Sequence, residues 1–515
     1  MRKFTLQITR ILTVTSLIVV SSCKQKTTQI EEVAKQPNII IYLTDDLGYG
    51  DLGCFGSPII KTPSIDKFAS EGVLLTDCHS AGTVCSPSRA GLLTGRNPYR
   101  SGFYYIQGAY GAYLQEKEQT IAELLKSGGY ETAFMGKWHL SRLEQTKKHK
   151  EPTPGDQGFD YWFASTHNAF GGPKNFGKFI RNGEPAGEAN GWYCDVLTEE
   201  ATNWLTNIRD KSKPFLLIVS THEPHTPVAP PEKYSQMYDN AEVDSLEKTI
   251  SYGGVDRPEY DITQNKKDYY GTVTQLDNAF GNLMKTLDDE KLRDNTMVVF
   301  TSDNGPEHPV NLEESQGNWE DPIRDMCFGS PGIYKGMKRY PYEGGHRVPG
   351  IVRYPGKIPA GTTSNELVVG TDFITTSVKL ANIKLTEEVS PDAIDAFPAF
   401  LGKKIKRNKP YLWIFPTHED TFFRMPHMAM RYNNYTLLGK FPEKTEDQTI
   451  IEWMKSSVPT TFALYNLDTD PEQKINLAET KPEMVNELKG LMTKEWIEIR
   501  DEGPNWQTLN QASKK

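Results

Sequence analysis

Asn38-Ile39-Ile40-Ile41-Tyr42-Leu43-Thr44-Asp45-Asp46 is the stretch that decides the fold. Its apolar run is continuous and stops on two carboxylates. A strand with one wet face alternates apolar and polar residues, whereas a strand buried on both faces does not. Three other runs repeat the pattern. Glu131-Thr132-Ala133-Phe134-Met135-Gly136 leads into Lys137-Trp138-His139. Phe215-Leu216-Leu217-Ile218-Val219-Ser220 leads into His222 and His225, and Met297-Val298-Val299-Phe300-Thr301-Ser302 leads into Asp303-Asn304. Helical periodicity between them predicts helices over 120–127, 196–208 and 269–287. Strands alternating with helices predict an α/β fold, a large and mainly parallel central sheet flanked by helices. Ligands of such sheets bind beyond the carboxyl ends of the strands, and here those ends deliver Asp, Asn, Lys and His.

Beyond residue 390 the pattern changes to short strands separated by turns. Tyr411-Leu412-Trp413-Ile414-Phe415, Met428-Ala429-Met430-Arg431-Tyr432, Tyr435-Thr436-Leu437-Leu438 and Phe462-Ala463-Leu464-Tyr465 predict a smaller antiparallel sheet. A helix over 482–500 carries Met484, Leu488, Leu491, Met492 and Trp496 on one face, a stripe for packing. The organisation predicted is a leader at 1–22, a tether at 23–36, a catalytic domain at 37–390 and a C-terminal α+β subdomain at 391–515.

The leader has Arg2, Lys3 and Arg10 ahead of the apolar run 11–20, too short to span a bilayer but suited to a signal peptide. It ends in Val20-Ser21-Ser22-Cys23, which looks like a bacterial lipobox, with Cys23 as the lipidated residue. The expectation is an exported protein, lipid-anchored to a bacterial membrane on the periplasmic side or the cell surface. The 515-residue chain carries 67 acidic against 58 basic residues, a net charge of −9, which argues against a nucleic-acid partner. Such a charge leaves room for a small anionic substrate, because a site can be locally positive. Cys54, Cys78, Cys194 and Cys327 match no metal-binding spacing, and disulfides and buried thiols stand as equal alternatives. Lys147-Lys148-His149-Lys150 reads as a solvated loop.

Asp45, Asp46, Asp303 and Asn304 offer oxygen donors only, which select a hard cation, Ca²⁺ ahead of Mg²⁺ because it tolerates irregular coordination. Cys85-Ser86-Pro87-Ser88-Arg89 reads as a nucleophile at the start of a helix, with a cation one turn on. A thiol there is expected to be acidified by the helix dipole, and a structural cysteine is the alternative.

Six motifs then carry a resemblance. Cys85-x-Pro87-x-Arg89 followed by Leu93-Thr94-Gly95-Arg96, together with Asp45-Asp46, Gly136-Lys137-Trp138-His139, Pro224-His225-Thr226-Pro227, Ser302-Asp303-Asn304-Gly305 and Lys338 before Glu343-Gly344-Gly345-His346-Arg347, resembles the type I sulfatases of the alkaline phosphatase superfamily. The likeness runs over 37–355 and fades toward 477. It departs at Lys335, where Arg is common, at Arg339, where a small residue is common, and at Gln473, where an acid is usual. The resemblance implies that a maturating enzyme oxidises Cys85 to formylglycine (3-oxoalanine). It also implies one calcium ion held by Asp45, Asp46, residue 85, Asp303 and Asn304. An aldehyde hydrate has two hydroxyls, one to attack sulfur and one to expel sulfate. In the implied scheme Arg89, Lys137 and Lys338 offset sulfuryl charge, and Asp303 helps deprotonate the attacking hydroxyl. His225, with Lys338, protonates the leaving alcohol, and His139 takes the proton during sulfate release. His346 and Arg347, beside the Glu-Gly-Gly turn, could line the pocket and His167 and Asn168 could contact sugar, but none of the four is favoured for such a role; His222 is left structural or substrate-facing.

The expected substrate is a sulfated polysaccharide or its oligosaccharides, such as algal ulvan or carrageenan or an animal glycosaminoglycan. The long segments 171–191 and 239–266 are expected to shape its pocket. Two rivals remain at this level: a phosphatase or phosphonate monoester hydrolase of the same superfamily, and a non-catalytic glycan-binding lipoprotein.

Overall fold

A computed structural model describes residues 36–145, 150–240, 250–252, 255–257, 263–307, 327–386, 388–415 and 426–506. The leader, Cys23, nearly all of the tether and Lys147-Lys148-His149 lie outside the described residues. Among those described, no helix is long and apolar enough to cross a membrane.

The central sheet has ten strands: β1 (Asn38–Asp45), β2 (Val73–Leu75), β3 (Glu131–Lys137), β4 (Tyr161–Ser165), β5 (Ile180–Arg181), β6 (Glu184–Pro185), β7 (Phe215–Pro224), β8 (Thr296–Ser302), β9 (Gly350–Arg353) and β10 (Thr362–Ser364). Their spatial order is β10-β2-β9-β8-β1-β7-β3-β4-β5-β6. The five strands β8, β1, β7, β3 and β4 run parallel at its centre. Antiparallel pairs appear toward both edges, β8–β9 and β9–β2 on one side, β4–β5 and β5–β6 on the other.

The uninterrupted apolar run of β1 now has its cause. Ile39, Ile41 and Leu43 pack into the core on one face of the sheet, and Ile40 and Tyr42 into the core on the other. Residues Ile39 to Tyr42 are all 0 % exposed. Each such side chain contributes about 1.5–3 kcal/mol relative to an exposed one. Helices α1 (Cys85–Thr94) and α2 (Ile121–Ser127) supply the first core, while α3 (Tyr193–Asn203) and α4 (Thr263–Asp289) supply the second.

Strands β11 (Tyr411–Ile414), β12 (Met428–Tyr432), β13 (Tyr435–Lys440) and β14 (Thr461–Asn466) form an antiparallel sheet in sequence order, and α5 (Pro482–Glu502) packs on it. Leu488, Met492 and Trp496 of α5 are buried, with Met484 and Leu491 packed beside them. The segment 171–191 contains the β5–β6 hairpin, and α4 begins at Thr263, inside the stretch expected to be loop. All five described cysteines are free thiols; Cys78, Cys85, Cys194 and Cys327 are buried.

Candidate active site

Strands β8, β1, β7 and β3 are consecutive neighbours, so their carboxyl ends meet at one edge of the sheet. Thr44 of β1 pairs with Ser302 of β8, and Gly136 of β3 with Ser220 of β7. The residues that follow these pairs therefore stand side by side. A side chain at position 136 is ruled out. Its φ is +109°, and a Cβ there would lie 1.9 Å from the Ser220 carbonyl oxygen. Lys137 can reach the strand ends only because residue 136 lets β3 come that close.

Cys85 enters from the other direction, as the first residue of α1, with Val84 as its extended N-cap. One donor atom each from Asp45, Asp46, Cys85 and His225 fall within 4.8 Å of one another. Lys137 Nζ donates to Asp45 Oδ2 at 2.5 Å. Lys338 Nζ donates to Asp46 Oδ2 at 2.8 Å and lies 3.3 Å from Glu307 Oε2. Asp303 Oδ2 accepts from Arg89 Nε at 2.9 Å and pairs with Nη2 at 2.7 Å. Asn304 Nδ2 donates to Asp46 Oδ1 at 2.6 Å.

These residues fit a hard cation. Asp45 Oδ1 and Asn304 Oδ1 are buried without a hydrogen-bond partner among the described residues. Burial, and then the Asp45 charge, pushes the Asp303 carboxyl up to about 6, the strain expected of acids crowded together without a cation between them. Four carboxyl groups (Asp45, Asp46, Asp303, Glu307) face four cationic side chains (Arg89, Lys137, Lys338, Arg339). A bound dication would tip that balance toward an anionic substrate.

The electrostatics of Cys85 differ from the sequence expectation. Burial pushes its thiol up to about 12 despite Lys137 and Lys338. Full desolvation of the thiolate outweighs the helix terminus, so the unmodified residue is a poor nucleophile.

Arg89, 2 % exposed, lies beneath the cavity lining as Lys137 does, and donates to Asp303, to the Lys137 carbonyl at 2.8 Å and to the Ser220 hydroxyl. These bonds tie the ends of β3, β7 and β8 together next to Cys85.

His139 stands at φ +56°, with Nδ1 buried and unpartnered among the described residues. Burial and Lys137 hold its pKa well below the ordinary value, leaving a neutral ring that can accept a proton. Burial and Lys338 hold His225 down to about 3. Its Nε2 lies 3.5 Å from Asp46 Oδ2 and 2.8 Å from Asn168 Nδ2. Burial opposes the charge on Lys338, but Asp46 and Glu307 raise its pKa well above the ordinary lysine value, so Lys338 is the protonated neighbour.

A cavity of about 260 Å³ opens over Cys85, His139, His225 and Lys338, with Tyr105, Gln107, His167, Asn168, Phe170 and Arg339 completing its walls. His222 lies outside it, 0 % exposed, accepting from the Ala169 N–H at 3.3 Å. His346 and Arg347 are also absent from it, in line with the reading that disfavoured them as pocket residues. His346 stacks on Trp413 with ring centroids 4.0 Å apart, and Arg347 pairs with Asp77 and Glu343. The Glu-Gly-Gly turn is a structural joint.

That joint includes a second cluster, Asp77, His79 and Glu343. Arg347 and Arg431 pair with both of its carboxylates, which leaves a cation little to neutralise. Gln473 is 0 % exposed and its Oε1 accepts from the Glu343 N–H at 2.9 Å, a bond an acid would also accept; nothing in the structure explains the amide. Lys335 lies over the Tyr342 ring, 4.5 Å from its centroid, away from the pocket. Sequence reading missed Glu307, Tyr105, Gln107 and Phe170. Glu307 follows Asp303 by four residues, which was the one local signal available.

The sulfatase family model matches residues 37–383, and the model of the N-sulphoglucosamine sulphohydrolase C-terminal region matches residues 331–502. The chain belongs to the sulfatase family. It is a sulfuric ester hydrolase, which removes the non-catalytic rival. An N-acetylgalactosamine-6-sulfatase of Sus scrofa is 32 % identical to this sulfatase, the match covering 88 % of this chain and 84 % of the relative. An ulvan-active sulfatase of Formosa agariphila is 30 % identical over 93 % and 85 % of the two chains. The crystal structure of Ps i-CgsB in complex with k-i-k-neocarrahexaose superposes with a TM-score of 0.70 at 25 % identity, covering 92 % of this chain and 94 % of that one.

Proposed function

We propose that this sulfatase hydrolyses sulfate esters of a sulfated polysaccharide or its oligosaccharides, of the algal kind represented by ulvan and carrageenan, with residue 85 acting as formylglycine beside calcium. The observation that carries the reading is the convergence of Cys85 with Asp45, Asp46 and His225, one donor atom from each within 4.8 Å, with Cys85 and His225 lining the cavity. A hydrated aldehyde at position 85 supplies a nucleophile with a built-in release route, which a thiol lacks. Calcium on Asp45, Asp46, Asp303 and Asn304 would supply Lewis-acid polarisation of a sulfate oxygen.

This chain's own residues do the rest. Lys137, paired with Asp45, and Lys338, paired with Asp46, offset charge on the sulfuryl oxygens. Arg89 holds Asp303 and the end of β3 in place. Asp303, held by Arg89, helps deprotonate the attacking hydroxyl. Lys338 carries the proton for the leaving alcohol, with His225 across Asp46 from it. His139, held neutral, accepts the proton of the release step.

The relatives named above support the substrate class, since they include an ulvan-active sulfatase, an N-acetylgalactosamine-6-sulfatase and a structure in complex with k-i-k-neocarrahexaose. Export and a lipid on Cys23 belong to the same proposal; a Cys23→Ala protein recovered from the soluble rather than the membrane fraction would support them. The deciding experiment is an intact-mass measurement of the peptide containing Cys85 from natively expressed protein. Replacing the thiol by an aldehyde lowers the mass by about 18 Da. An unmodified thiol in fully active protein sinks the mechanism.

A further inference from the structure

Arg339 lines the pocket beside Lys338, and the proposed chemistry leaves its guanidinium unused. Its backbone is at φ +78°, a region that costs a side chain roughly 1–2 kcal/mol. Its N–H donates to the Thr83 carbonyl at 2.9 Å, two residues before Cys85, so the strained conformation is fastened to the nucleophile's own loop. In extended chain, successive side chains point to opposite sides. The left-handed turn breaks that alternation, and Lys338 and Arg339 line the same cavity. Both are fixed on one carboxylate, Lys338 near Glu307 Oε2 at 3.3 Å and Arg339 Nη1 on Oε1. They differ in depth: the Lys338 side chain is 4 % exposed and that of Arg339 22 %. Among the described residues, Arg339 Nε and Nη2 bond no protein group. Around the same cavity stand the aromatic residues Tyr105, His167 and Phe170, the last 54 % exposed.

From this arrangement we infer that Arg339 is a specificity-determining residue that binds a second anionic group of the saccharide, a carboxylate or a further sulfate, next to the sulfate ester being cleaved. The inference rests on the sulfated-saccharide reading and narrows it. A ligand whose ester sulfate sits at Lys338 presents its neighbouring substituents toward the cavity mouth, where Arg339 stands. A guanidinium with free donors in a fixed orientation matches a planar or tetrahedral oxyanion. Glu307 holds that guanidinium in place while leaving it donors to offer.

The test compares sulfate release from three defined disaccharides: one sulfate with a neutral neighbour, one sulfate beside a uronic acid, and two sulfates. Wild-type enzyme is expected to favour one or both acidic substrates by about 10–100-fold in kcat/KM, and which of them is favoured identifies the oxyanion. Arg339→Gln is expected to reduce that preference to about threefold or less, mainly through KM, with Arg339→Lys intermediate. Arg339→Gly suits a φ of +78° and provides a second folded variant with the same expected loss. An unchanged preference in Arg339→Gln overturns the inference alone. So does an equal loss on all three substrates, which would mean that Arg339 acts only through Glu307 and Lys338. Absence of sulfate release from all three by mature wild-type enzyme overturns the saccharide reading along with it.

Discussion

At the residue scale, the site is a set of buried charges that only a cation and an anionic ligand complete. Lys338 bonds Asp46, lies near Glu307 and is protonated. Lys338→Ala is expected to lower kcat by about 10²–10⁴ while KM changes less, read in steady-state kinetics on an activated aryl sulfate. Asp45 Oδ1 and Asn304 Oδ1, buried and unpartnered among the described residues, predict the response to metal removal. A chelator should abolish activity and lower the melting temperature, and calcium should restore both better than magnesium, as followed by thermal denaturation. The residues of this site were legible one by one, Asp45, Asp46, Lys137, His139, His225, Asp303 and Asn304 because they follow apolar runs, and Cys85, Arg89 and Lys338 through their motifs. Their mutual bonds were not. Arg89 was expected to offset sulfuryl charge; that it also bonds Asp303 and the Lys137 carbonyl was not visible, because nothing local to Arg89 specifies those partners.

At the element scale, β1, β3, β7 and β8 were recognisable because burial on both faces writes an uninterrupted apolar run. Helix starts were less visible. α4 begins at Thr263, six residues before the predicted start, because Thr263-Gln264-Asn265-Lys266-Lys267-Asp268 has no apolar periodicity to detect. α3 begins at Tyr193, before the predicted 196, and Tyr193 and Cys194 are buried against the sheet rather than marked by a cap. The end of β3 makes the sharpest demand. Gly136→Ala would place a methyl group 1.9 Å from the Ser220 oxygen at a positive φ, forcing β3 from β7 and shifting Lys137. Destabilisation on the order of 1–3 kcal/mol is expected from the backbone strain, with a larger proportional loss of activity. Denaturant titration and kinetics on the same preparation check both.

At the scale of the whole molecule, the C-terminal sheet braces the loop that leads to Cys85. Trp413 Nε1 donates to the Ser80 carbonyl at 2.7 Å and Tyr411 OH to the Ala81 carbonyl at 2.9 Å. Arg431 of β12 reaches back to Asp77 at 2.9 Å and Glu343 at 3.3 Å. Arg431→Ala leaves two buried carboxylates short of a partner and should cost about 3–5 kcal/mol. Burial works to raise the Glu343 pKa, but Arg431 and Arg347 outweigh it and hold the group at about 2. A depressed folded-state pKa contributes stability that is present above the unfolded value, about 4.3. That stability is lost as pH falls from there toward 2. Melting temperatures across this window should therefore fall less steeply with acid in Glu343→Gln than in the wild type.

The sequence by itself determined the α/β class, the four strand ends and the residue types placed on them, because burial and periodicity are local properties written along the chain. Only the tertiary structure decided which ends are neighbours and that the Cys85 thiol is too desolvated to ionise. It also tied Arg89 to Asp303 and the end of β3, set Arg339 at the cavity's mouth, and drew His346 and Arg347 into the joint with the C-terminal sheet. Those outcomes depend on distances between segments far apart in the chain, and charge, desolvation and steric contact act through distance in space.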